Sequence, residues 1–286
     1  MALWDKIGSS GDVEDRRGMG AGGIALTGVG GLILFLAFAF LGGGTGENGS
    51  MLEQILGQVA NQQTSQTSEQ PAEFQGADQY ETFTSKVLGS NNDTWQGIFA
   101  AQQRNYTSPK LVLFRQATQS ACGYASSAVG PHYCPYDQTI YMDETFFDEL
   151  QQRFGGSSGD VAQAYVISHE VGHHVQNLSG TMEQVQAAQQ ENPEAANDLS
   201  VRLELQADCY AGIWARSISQ LGVFENDQEI KEALSAAAAV GDDHVQETTQ
   251  GRSNPETWTH GSSAQRVKWF TTGYNTGQAA SCNTFE

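Results

Sequence analysis

The sequence predicts an α+β domain, mostly helical with a small sheet, standing behind one N-terminal apolar span. Three observations carry this. Within residues 77–286, apolar side chains recur at helical spacing, as in Ala164, Ile167, Val171, Val175 and Leu178. Two short runs, Lys110-Leu111-Val112-Leu113-Phe114 and Thr139-Ile140-Tyr141-Met142, read as strands, too few for a doubly wound sheet. From Gly18 to Gly46 there is no charged residue.

The apolar run comes first. Ala21 to Leu41 is almost wholly apolar or glycine, and as a helix it would extend roughly 31 Å, matching a hydrocarbon core of about 30 Å. Arg16 and Arg17 precede it and Glu47 follows. The positive-inside tendency then makes 1–18 a cytoplasmic tail, 19–43 a transmembrane anchor, and all that follows periplasmic or extracellular. Ala37-Phe38-Ala39 offers a competing signal-peptidase site, which would release the domain on the same side. A buried core helix fits poorly, because the run has no polar face. Residues 44–76 read as a disordered tether: Gln62 to Gln70 is a Gln-, Ser- and Thr-rich stretch without apolar periodicity.

The folded domain is placed at 77–286. Tyr80–Leu88 and Thr94–Gln103 read as short helices, followed by the two strands. Asp143 is expected to cap a helix reaching Phe154, and Asp160 a long helix reaching Leu178. Thr181–Asp198 is polar and acidic and is expected to form a lid. Helices follow over Leu199–Leu221, Gln228–Val240 and Ser262–Tyr274, the last capped by Ser262 or Ser263.

Composition narrows the function. A net charge of −19 with 14 Lys and Arg excludes a nucleic-acid partner, since phosphate recognition needs a basic face. The four Cys suit an oxidising compartment. Cys122 and Cys134 bracket a turn-rich segment with Gly130-Pro131, leaving Cys209 and Cys282 as a second pair. Three pairings are open to four cysteines. No Cys-x-x-Cys occurs, so a thiolate zinc site has no support.

His169-Glu170-Val171-Gly172-His173 carries the chemistry. Residues i and i+4 stack on one helix face, so His169 and His173 can reach a single Zn2+ while Val171 and Val175 face the core. Glu170 projects beside them as a general base, and zinc lowers the pKa of a coordinated water from ~15.7 to about 7. A third ligand is required. The metzincin continuation is excluded, because Gln176 and Ser179 occupy its Gly and His positions. Glu204 and Asp208 lie one turn apart on a largely apolar helix, where buried carboxylates need a cation or a donor. Glu204 is assigned to zinc and Asp208 to a supporting bond with His169 or His173; the reverse assignment stays open. His174 points off this face and is expected to be structural. His260, in the turn Thr259-His260-Gly261-Ser262-Ser263, is a candidate donor to the oxyanion, with His244, Tyr210 and Arg266 as rivals.

Several stretches together resemble the bacterial neutral zinc metallopeptidase family typified by the YpfJ-like proteins. These are Val13-Glu14-Asp15-Arg16-Arg17; Ser120-Ala121-Cys122-Gly123 through Gly130-Pro131 and Tyr133-Cys134-Pro135; and the His169–His173 motif. Glu204-Leu205-Gln206-Ala207-Asp208-Cys209, Gly241-Asp242-Asp243, Thr259-His260-Gly261-Ser262-Ser263 and Gln265-Arg266 complete the set. His132 stands where Phe is expected. The resemblance implies a zincin-like metallopeptidase fold and a peptide or protein substrate. An extended peptide would lie along a strand edge, for which Thr139–Met142 is the candidate by analogy with zincin folds. The competing functions are a non-catalytic zinc-binding cell-envelope scaffold and, more distantly, a cell-wall amidase. Glu170 discriminates the scaffold, because a structural zinc has no use for a base beside an open coordination position.

Overall fold

The computed structural model describes residues 2–17, 72–73, 78–126 and 130–286, and among these the chain is α+β with eight α-helices and two small sheets. The strands and first helix come in the order β1 (Val13–Asp15), β2 (Ala72–Glu73), α1 (Gln79–Ala101), β3 (Lys110–Phe114), β4 (Ala117–Ser120), β5 (Gly123–Ser126), β6 (His132–Cys134) and β7 (Thr139–Asp143). Helices α2 (Phe146–Phe154), α3 (Asp160–Ser179), α4 (Thr181–Glu191), α5 (Ala196–Gln220), α6 (Asp227–Ala239), α7 (Asp242–Gln250) and α8 (Ser263–Thr276) follow.

The main sheet has the order β2-β1-β3-β7-β6. Strand β3 runs parallel to β1 and β7, while β2 and β6 are antiparallel edges. Leu111, Val112, Leu113 and Phe114 are all buried, the continuous apolar pattern of a strand covered on both faces. Every residue of β7 is buried as well. The strand expected to offer a free edge, Thr139–Met142, is therefore interior, and His132–Cys134 is the edge instead.

The N-terminus departs most from expectation. Ala2, Ile7 and Val13 belong to the main core, and Ser85 Oγ donates to the Gly11 carbonyl at 2.9 Å. Residues 2–17 thus pack on the same core as 78–126 and 130–286. Arg17, read from sequence as a charge flanking the apolar run, has a side chain only 7% exposed. It donates to Asp15 at 2.9 Å, Asp78 at 2.5 Å and Glu144 at 2.9 Å. The expected anchor at 19–43 lies outside the described residues, as does the tether apart from Ala72–Glu73. Among the described residues, no helix is long and apolar enough to cross a membrane.

Helix α1 replaces the two short helices expected. Gly89 reads as a break, yet a Cβ there would stand 2.6 Å from the Ser10 backbone nitrogen. It marks where the N-terminal segment crosses the helix. Asp78 and Glu81 form a capping box at its start. Asp143 does not cap α2 itself; it accepts from Thr145 N and Oγ1 at 2.9 and 2.8 Å, shaping the turn before it. Gly159, not Asp160, is the N-cap of α3. The polar 181–198 segment is mostly helix: Gly180, at φ 77°, ends α3, and α4 buries Val185. Both disulfides form as expected, Cys122–Cys134 and Cys209–Cys282. The second ties the chain end to α5.

Candidate active site

Helix α3 contributes His169, Glu170 and His173, and α5 contributes Glu204 and Asp208. The two helices meet closely at Gly172, where a Cβ would lie 3.0 Å from Ala207 Cα and 3.0 Å from its carbonyl oxygen. A larger residue inside the motif would hold α5 away from the histidines. The contact brings Glu204 Oε2 to 3.1 Å from His169 Nε2 and Oε1 to 3.3 Å from His173 Nε2. His169, His173 and Glu204 present ligand atoms all within 4.8 Å of one another.

The outer nitrogens are separately engaged. His169 Nδ1 lies 2.9 Å from Asp208 Oδ1, and His173 Nδ1 lies 2.8 Å from Gln176 Oε1. An acceptor at each Nδ1 keeps a proton there and leaves Nε2 free to offer a lone pair. Asp208 is itself saturated. It also accepts from Tyr165 Oη at 2.5 Å and from Arg266 Nε and Nη2 at 2.8 and 3.0 Å. Gln176 is fixed by donating to Leu203 O and Gln206 Oε1, and Gln206 donates to the Cys282 carbonyl at 3.0 Å. The second disulfide thereby anchors the support of His173.

Burial lowers the basicity of both imidazoles, but the carboxylates overcome it. Asp208 and Glu204 hold His169 up at about 10, and Glu204 holds His173 above its ordinary value. Burial likewise works against the Glu204 carboxylate, yet His173 and His169 keep it well below the usual range. Two imidazole nitrogens and one carboxylate oxygen are donors that suit a zinc ion, and these residues fit it.

The three groups stand in the wall of a cleft of about 400 Å³, together with Glu170 and His260. The Asp242 carboxylate gathers the turn carrying His260, accepting from the backbone nitrogens of Thr259, His260 and Gly261 at 2.8, 2.6 and 2.9 Å. His260 Nδ1 lies 3.3 Å from Asp242 Oδ1. The rivals for its role are engaged elsewhere: His244 Nε2 meets the Phe154 carbonyl, Tyr210 packs on Trp95, and Arg266 is spent on Asp208. His174 is structural, as expected. Its Nε2 donates to Thr107 O at 2.6 Å, leaving Nδ1 to accept from Tyr133 Oη at 2.9 Å. That bond ties the edge strand β6 to α3.

A family profile described as "Putative neutral zinc metallopeptidase" matches residues 2–285. The chain belongs to this family. It is 44% identical to "Uncharacterized protein YpfJ" of Escherichia coli K12, over 99% of this chain and 98% of that protein. It is also 48% identical to "Uncharacterized protein Rv2575" of Mycobacterium tuberculosis H37Rv, over 73% of each. No solved structure matches the chain. The cleft also relies on partners with no role assigned from sequence: Tyr165, Gln176 and Asp242. Tyr165 carried a signal, being four residues before His169 on one helix face. Asp242 and Gln176 carried none that local spacing could read.

Proposed function

We propose that the chain is a zinc metallopeptidase that hydrolyses peptide bonds, with a zincin-like arrangement of the gluzincin kind. The observation that carries this reading is the convergence of His169 Nε2, His173 Nε2 and a Glu204 oxygen in an open cleft beside Glu170. His169, His173 and Glu204 would hold Zn2+, which supplies Lewis-acid polarisation and a water of lowered pKa. Asp208 and Gln176 orient the two imidazoles. Glu170 takes a proton from the attacking water and delivers it to the leaving amine. His260, braced by Asp242, offers a donor to the charge that develops on the carbonyl oxygen. An extended peptide runs beside β6, whose His132 and Tyr133 line the cleft.

The setting we propose is a membrane-associated one outside the cytoplasm. Two disulfides and the apolar run over 21–41 support it. Because β1 hydrogen-bonds to β3, residues 2–17 share the compartment of the cleft in this reading. The decisive experiment is Glu170→Gln. The variant should keep its zinc and lose at least ~100-fold of peptide hydrolysis, the lower end of what a general base contributes. Near wild-type turnover would end the peptidase mechanism and favour a scaffold.

A further inference from the structure

The cleft is not uniform. On the side of α3 that precedes Glu170, its wall is built from Phe146, Leu150 and Phe154 with Val166, Val240 and Val245. Leu150 and Val166 are buried, while Phe146, Phe154, Val240 and Val245 are only half-buried and present apolar surface to the cavity. Val166 lies four residues before Glu170 and thus one turn away on the same helix face. The apolar wall therefore begins beside the group assigned to activate water. A residue adjacent to the scissile bond would pack against it.

Charge sharpens the point. Among the described residues Arg266 is the one Lys or Arg side chain lining the cleft, and it is fully committed, with Nε and Nη2 on Asp208 and Nη1 on the Val240 carbonyl. The remaining charged lining groups besides the histidines are Glu149, Glu170, Glu204 and Asp242. An acidic substrate side chain at this wall would meet no free Lys or Arg among the described residues, while the cleft carries four carboxylates. At about 400 Å³ the cavity falls within the ~300–1,000 Å³ range of ligand sites, with room for a bulky side chain and its flanking backbone.

We infer that the enzyme cleaves next to a large apolar residue, aromatic or long aliphatic, held by the Phe146–Leu150–Phe154–Val166–Val240–Val245 pocket, and rejects acidic residues there. This rests on the peptidase reading for the position of the bond, but not for the pocket itself.

A nonapeptide library varied at both residues flanking the cleaved bond tests it. Phe, Leu or Met at one of them should exceed Ala and Asp by about tenfold to a hundredfold in kcat/KM. Val245→Arg should move that preference toward Asp and Glu, and Phe154→Ala should weaken it for Phe. A second readout needs no turnover: metal-free protein should bind a Phe-containing nonapeptide at least tenfold more tightly than its Asp counterpart, measured by fluorescence anisotropy. If no peptide is cleaved yet this binding order holds, the peptidase reading fails and the pocket stands. A flat cleavage profile, or two peptides bound alike, overturns the inference. So does a Val245→Arg profile identical to wild type in folded protein.

Discussion

Asp208 Oδ1 lies 2.9 Å from Nδ1 of His169, while Glu204 meets the Nε2 of the same ring at 3.1 Å. One imidazole is thus held between two carboxylates with different duties. Asp208 has further donors in Tyr165 and Arg266, whereas Glu204 is shared between His169 and His173.

This division predicts an order of zinc affinities. Glu204→Ala removes a ligand and should weaken binding more than Asp208→Asn, which disturbs orientation and should cost ~10–100-fold. Competitive chelator titration measures both. A larger loss for Asp208→Asn would exchange the two assignments.

Metal-free protein should show a distinctive pH dependence. His169 is held up at about 10 in the fold, against roughly 6.5 unfolded. A raised folded-state value means its contribution is complete below about pH 6.5 and is lost as pH rises toward about 10. Urea unfolding of chelator-treated protein should therefore give falling stability across that window. Zinc loading should remove the slope, since Nε2 then carries metal rather than a proton. Stability that rises over the same range in metal-free protein would contradict the arrangement of charges around His169.

Placing residues 2–17 with the cleft predicts a labelling pattern. Asp5, with a fully exposed side chain at 106%, and Tyr136, 79% exposed, are both open to reagent. All four native cysteines are in disulfides, so background is low. In intact cells, a membrane-impermeant maleimide should label Asp5→Cys and Tyr136→Cys alike. Labelling of Tyr136→Cys alone would restore a tail on the opposite side. Arg17→Ala gives an independent check. Removing the buried guanidinium leaves Asp15 and Glu144 without it, and should cost on the order of 3 kcal/mol, read as a fall in Tm.

Some of this was legible in the sequence for physical reasons. Strand β3 is an unbroken apolar run, and the His169–His173 spacing is fixed by the helix repeat, so neither needed tertiary information. The sequence assigns Glu204 to zinc and Asp208 to support but leaves the reverse open, because they share one face a turn apart. Arg266 and Tyr165, which occupy Asp208, arrive from 58 and 43 residues away. Strand β1 was hidden because Val13-Glu14-Asp15 is short and charged; in the fold Glu14 and Asp15 are paired with Arg16 and Arg17. Helix α7 has Val245 as its one aliphatic residue, so it carries no apolar stripe to read.

The last prediction concerns His260. Its ring is partly open to the cleft, with a side chain 35% exposed, and its Nδ1 faces Asp242 and Thr259. That leaves Nε2 as the atom able to donate toward substrate. Burial lowers the basicity of the ring, but Asp242 and Glu204 outweigh it and hold His260 above its ordinary value, favouring the protonated donor. Loss of one oxyanion donor commonly costs ~10²–10³ in turnover. His260→Ala should reduce kcat by that factor while zinc content and Tm stay near wild type, because the turn is held through the backbone nitrogens by Asp242. Asp242→Asn tests the brace: a weaker acceptor should lower the apparent pKa of the acid form and pull the alkaline limb of the kcat profile to lower pH. His260→Ala with unchanged kcat would make the ring a structural part of the turn, and an unshifted limb in Asp242→Asn would detach the brace from the chemistry.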